Sequence, residues 1–174
     1  NLDMGDWNNL VRLFALAREQ FPARHYLVDV WNHGAGWKVR RPTTEPIRGI
    51  SYDETSGNHI STVQLGQAMR EMARLNGGRK IDILGMDACL MEMAEVVYEV
   101  KDGVDIVVGS EQTEPGAGWP YETVLAPIVA NPLMGAERFA DSIAREYTRS
   151  YDDGSQGNKT VQSSAVSVSR FLQA

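Results

Sequence analysis

Three short blocks of the sequence hold residue types that can perform nucleophilic chemistry together. The first, Trp31-Asn32-His33-Gly34-Ala35-Gly36-Trp37, offers an imidazole followed by glycine. The second, Gly85-Met86-Asp87-Ala88-Cys89-Leu90-Met91-Glu92, offers the single thiol of the chain, two residues after a carboxylate. The third runs from Gly109-Ser110-Glu111 through Glu114 to Gly118-Trp119-Pro120. A thiolate is a strong nucleophile, and a neighbouring imidazole both favours it and can pass a proton to an amine leaving group. The backbone amides of Gly34 and Cys89 are candidates to stabilise a developing oxyanion, since Gly34 has no side chain to block close approach. His33 and Cys89 therefore read as a cysteine hydrolase dyad. The competing reading is a buried thiol that acts as a small hydrophobe, the commoner fate of a free cysteine.

Such blocks need elements that bring them to one place. Trp7, Leu10, Val11, Phe14 and Ala17 fall at helical spacing behind Asp6 as N-cap, and the helix is expected to stop before Pro22. The β-branched and aromatic run 25–31 reads as a strand whose end carries His33. Residues 37–59 show no periodicity and read as a long exposed loop. Ser61 and Gln64 make a capping box for a helix with the stripe Leu65, Ala68, Met69, Met72 and Leu75, closed by Asn76-Gly77-Gly78. Residues 81–86 form the next expected strand. Leu90, Met93, Ala94, Val97 and Tyr98 follow at helical spacing. That pattern puts Cys89 at the first turn of a helix, where unpaired amides and the positive dipole end favour thiolate. A strand over 104–110, helices over 122–130 and 136–150, a polar loop over 152–159 and a last strand over 161–168 complete the chain. Alternating strands and helices, with near-continuous apolar strands, imply an α/β layered fold on a largely parallel sheet. In such sheets reactive groups gather beyond the carboxyl ends of the strands, and His33, the Asp87–Cys89 pair and Ser110-Glu111 each follow a strand.

Composition excludes several alternatives. The chain has 174 residues, 43% hydrophobic, and 17 basic against 23 acidic side chains, for a net charge of -6. One domain over 1–174 is expected, burying roughly 70% of its unfolded surface without staples. The acidic balance, with no basic cluster longer than Arg40-Arg41, argues against nucleic-acid or anionic-membrane partners. No apolar run nears the ~20 residues of a membrane span. The first residues read as neither a basic nor an apolar leader. One cysteine and three scattered histidines leave no zinc set, so no metal or other cofactor is expected. The segment Asp152-Asp153-Gly154-Ser155-Gln156-Gly157-Asn158 could offer oxygens to calcium, but it lacks spaced carboxylates and a closing glutamate and reads as a solvated turn. Gly34-Ala35-Gly36 begins like a dinucleotide fingerprint, yet Val39 stands where the third glycine belongs. Met86, Met91 and Met93 read as core, His25 as surface, and His59 as structural or solvent-facing.

The His-Gly and Asp-Ala-Cys blocks, in that order, together with the stretch from Gly109 to Tyr121, resemble the clostripain family of cysteine endopeptidases within the caspase-like group. Weaker similarity extends from Met4-Gly5-Asp6-Trp7 to Ser164-Ala165-Val166, nearly the whole chain. The resemblance implies a caspase-like three-layer α/β/α sandwich with a mostly parallel sheet. It implies His33 as catalytic histidine, Cys89 as nucleophile, the Gly34 and Cys89 amides as oxyanion hole, and a peptide or protein substrate cut after Arg or Lys. Asp87 would line the pocket for that basic side chain, with Ser110, Glu114 and Trp119 as further substrate-binding residues. The resemblance leads to an expected acidic residue in the turn Gly116-Ala117-Gly118, where Ala117 stands instead, so that either the preference for a basic residue is weakened or Glu114 substitutes. Maturation by a cut between the His and Cys blocks points to Arg48-Gly49, with Lys38, Arg40 and Arg41 as alternatives. The resemblance also implies secretion or periplasmic export from a bacterium, and an earlier strand and a C-terminal extension that are not seen in these residues. A catalytically silent homologue that binds peptides or proteins through the same groove is the alternative function.

Overall fold

A computed structural model describes residues 2–37 and 49–174. Helix α1 (Trp7–Gln20) begins where the Asp6 carboxylate accepts the Asn8 amide, 2.9 Å away, and ends at Phe21, ahead of Pro22. Strand β1 (Leu27–Asp29) follows. The hairpin of β2 (Ile50–Asp53) and β3 (Asn58–Ile60) comes next, then α2 (Thr62–Leu75). Both halves of the Ser61–Gln64 capping box form at the start of α2. The chain continues through β4 (Ile81–Gly85), α3 (Ala94–Val100), β5 (Val104–Gly109), α4 (Tyr121–Ala130), α5 (Ala136–Ser150), β6 (Ser164–Ser167) and the short α6 (Val168–Phe171).

The main sheet has the order β1-β4-β5-β6. β1, β4 and β5 are parallel, and β6 runs antiparallel to β5. This is an α/β fold on a mostly parallel central sheet flanked by helices, as the alternating pattern of the sequence requires. The pleat sends Leu84 of β4 and Val107 of β5 into a cluster with α1, α2, α3 and the hairpin, which Ile81 and Val104 join from the first positions of their strands. It sends Ile83, Ile106 and Val108 to the other face, against Val124 of α4 and Phe139, Ile143 and Tyr147 of α5. Because both faces are covered, the strands are apolar on both sides.

Three expectations are corrected. Part of the stretch expected to be loop is the β2–β3 hairpin, whose turn is tied by the Asp53 carboxylate accepting the amides of Thr55 and Ser56. Strands of four and three residues are too short to show a period. Second, Cys89 does not open a helix. α3 starts only at Ala94, and Cys89 lies in a turn in which Leu90 has φ +64°. The Leu90 and Glu92 amides donate to the carbonyls of Gln112 and Ser110, so the residues read as the start of a helix are held instead by the exit of β5. Third, β1 and β6 are shorter than the strands expected over 25–31 and 161–168, and the last of them turns into α6.

Candidate active site

Parallel pairing carries the blocks to the same end of the sheet. Beyond β1 the Val30 amide still bonds Gly85, and that of Asn32 bonds Asp87; beyond β4 the Met86 amide bonds Val108. The turns carrying His33, Cys89 and Glu114 therefore converge on one cleft of about 160 Å³, which also takes in Asn32, Asp87 and Gly118. His33 is exposed and Cys89 half-buried.

The two reactive turns touch through glycine. A Cβ at Gly34 would stand 2.4 Å from the Cys89 carbonyl oxygen and 3.0 Å from the Ala88 Cβ, so only glycine lets the histidine turn sit this close. Asn32 holds that turn: its side-chain oxygen accepts the amides of His33 at 2.7 Å and Tyr52 at 2.9 Å, tying the histidine to the hairpin. The bridge between Gly34 and Ile50, with the Ala35 amide on Gly49, extends the tie. Among the described residues, no hydrogen bond takes the amide of Gly34 or of Cys89. The sulfur of Cys89 accepts the Glu114 amide at 3.2 Å, so a backbone donor serves it where a helix terminus was expected.

Carboxylates floor the cleft. Asp87 is buried; its Oδ2 accepts the Trp119 amide at 2.9 Å and the Tyr121 hydroxyl at 3.0 Å. Both carboxyl oxygens of Glu114 are buried without a hydrogen bond of normal geometry, although Asp87 and the Trp119 indole lie close enough to act on it. Burial, with the Asp87 and Asp29 charges adding, pushes Glu114 up to about 9, so it is a neutral acid at pH 7. Asp29, at the end of β1, is raised by burial to about 6 and accepts the other contact of the Tyr121 hydroxyl at 2.7 Å. Among the described residues, none of the ion pairs includes Asp29, Asp87 or Glu114. Nor do they hold three His, Cys, Asp or Glu side chains placed to bind a metal.

Of the residues named from sequence, His33, Gly34, Asp87, Cys89 and Glu114 meet here. Ser110 and Trp119 are buried behind the cleft: the Ser110 hydroxyl is engaged by Gln112 and Gln162, and Trp119 contributes its amide to Asp87. Ala117 is exposed in the turn beside Gly118. Arg48, like Lys38, Arg40 and Arg41, lies outside the described residues. His25 is exposed and pairs with Asp82, and His59 stacks on Tyr52. Sequence reasoning missed Asn32, Asp29 and Tyr121. Their only signals are an amide next to the histidine and a lone acid inside the apolar run Leu27-Val28-Asp29-Val30.

Known proteins resemble this chain in sequence and fold. A model of the Clostripain family matches residues 1–171. Clostripain of Hathewaya histolytica is 25% identical over 136 residues, covering 74% of this chain and 25% of its own length. The structure of a secreted C11 cysteine protease from Bacteroides thetaiotaomicron, bound to an irreversible peptide inhibitor, superposes with TM-score 0.76 and 27% identity over 97% of this chain and 46% of its own. An inactive zymogen C11 protease from Parabacteroides distasonis shares the fold, with TM-score 0.72 and 21% identity over 99% of this chain and 42% of its own. The chain thus spans a quarter of the curated relative and less than half of each of these solved chains. With a family match over nearly its whole length and the fold of solved family members, the chain belongs to the clostripain family of cysteine endopeptidases.

Proposed function

We propose that the protein is a cysteine endopeptidase in which His33 and Cys89 cleave peptide bonds after Arg or Lys. The observation that carries this reading is the contact of two turns across one acid-floored cleft, with Gly34 packed on the Cys89 backbone. In the first step the thiol proton passes to the His33 imidazole and the sulfur attacks the scissile carbonyl carbon. The resulting oxyanion faces the Gly34 and Cys89 amides. The C–N bond then breaks, and the imidazolium returns its proton to the departing amine, leaving a thioester on Cys89. Water, losing a proton to His33, hydrolyses the thioester to a carboxylic acid and restores the thiol. The basic side chain preceding the bond sits against Asp87, with Glu114 beside it. A guanidinium or ammonium there meets the Asp87 carboxylate, for which no cation is provided among the described residues, while the neutral Glu114 acid offers it an oxygen. Support for a peptide substrate comes from the inhibitor-bound relative, and its secretion supports export of this protein from a bacterial cell.

The same specificity makes Arg48-Gly49 the bond for self-processing, on a segment whose downstream end, Gly49-Ile50, is bonded to the histidine turn. Cys89→Ala is expected to abolish hydrolysis of Arg- and Lys-ended peptidyl amides and to leave the chain uncut. Retained activity in that variant overturns the proposal. A wild-type protein that binds basic peptides with no burst of acylation is instead the silent homologue.

A further inference from the structure

The acidic wall of the cleft has a second row, contributed from another strand. Asp29 closes β1 opposite Gly85 of β4, four residues before His33. Its Oδ2 and the Oδ2 of Asp87 are held by one phenol, that of Tyr121, at 2.7 and 3.0 Å. A tyrosine hydroxyl has one proton to donate, so two carboxylates compete for it and the phenol couples their positions and charges. Two glycines make room for the row. A Cβ at Gly85 would meet Asp29 Oδ1 at 2.7 Å, and one at Gly118 would meet Asp87 Oδ2 at 2.6 Å. Asp29 Oδ1 is buried without a hydrogen bond of normal geometry among the described residues, although the Asp87 and Val30 amides lie close enough to act on the carboxyl. A packed, buried carboxylate left half-satisfied is costly unless its charge is used.

Resting on the peptidase reading, we propose that Asp29 is a positioning residue for selectivity. Through Tyr121 it orients Asp87 and places a second negative charge behind it. The preference of the cleft for a cationic side chain is therefore set by the Asp29–Tyr121–Asp87 row and not by Asp87 alone. The charge of Asp29 reaches the cleft, since it acts on Glu114 as well as on Tyr121.

The test compares a lysine-ended with a norleucine-ended peptidyl aminomethylcoumarin, side chains of similar length that differ in charge. Asp29→Asn, which keeps the shape of the side chain, and Tyr121→Phe are each expected to lower the lysine-to-norleucine ratio of kcat/KM by about five- to tenfold, with the loss falling on KM for the lysine substrate. A ratio equal to wild type in variants of unchanged Tm, or a proportional loss on both substrates, overturns the inference while leaving the peptidase reading in place. If wild type cleaves neither substrate, that reading falls. The row is then read by calorimetric binding of the two peptides to Cys89→Ala protein: loss of the lysine preference on adding Asp29→Asn supports it, and an unchanged preference overturns it.

Discussion

Glu92 lies three residues beyond Cys89 and shows what burial does to a single side chain. Its Oε2 is bonded by the Ser164 hydroxyl, whereas Oε1 is buried without a hydrogen bond of normal geometry among the described residues, although the Ser164 and Gly109 amides lie close enough to act on the carboxyl. Burial, with the Glu111 charge adding, raises it to about 8 against an ordinary 4.5, so the folded protein holds a neutral acid there at pH 7. The unfolded chain ionises this group near its ordinary value, while the native state resists until about 8. Its contribution to stability is therefore full below pH 4.5, falls as pH rises between the two values, and is flat above them. Glu92→Gln removes that dependence. Melting curves taken from pH 5 to 9 should show the variant gaining on wild type by several degrees at the alkaline end. Parallel curves for the two proteins would refute the assignment. Through the Ser164 hydroxyl, Glu92 ties the cysteine turn to β6.

At the scale of elements, the site depends on two turns that lie outside the helices. The histidine turn hangs on Asn32 and on the start of β2, and the cysteine turn hangs on the carbonyls of Gln112 and Ser110. Their fit is steric, set by the space at Gly34. Gly34→Ala forces a methyl into the Cys89 carbonyl and is expected to destabilise by about 1–3 kcal/mol. Turnover should fall by at least tenfold, since misplacement of a reacting group by an ångström is enough for that. Thermal melting and kcat/KM on an arginine amide check both effects. A variant that melts and turns over like wild type would show that the two turns need not touch.

The whole molecule is two apolar clusters on opposite faces of one sheet. Leu84 belongs to the first and Ile143 to the second, and both are fully buried. Since β4 and β5 supply residues to both clusters, neither face can unfold without stripping the sheet of the other. Leu84→Ala and Ile143→Ala should each cost about 2–5 kcal/mol. Both should shift one common transition, seen identically by far-UV and near-UV circular dichroism. Two transitions, each moved by only one of the substitutions, would divide the chain into separate units and count against the expected single domain.

Local chemistry was legible where a signal is complete within a few residues. The caps at Asp6 and Ser61, the stripe of α2 and the apolar runs of β4 and β5 are short-range, and the structure follows them. The order of the blocks, each behind a parallel strand, already implied that His33, Asp87 and Cys89 share one end of the sheet. Other features rest on contacts between distant segments. Cys89 lost its helix because the Leu90 and Glu92 amides found partners beyond β5. The hairpin is made of strands too short to announce themselves. Asp29 and Tyr121, 92 residues apart, are joined by a single proton. Sequence by itself thus determined which residues are candidates for the chemistry and where the longer elements form, because propensity and periodicity act locally. Tertiary structure alone decided what holds the thiol and how many carboxylates stand behind the cleft, because hydrogen bonding and burial between remote segments exist only once the chain is folded.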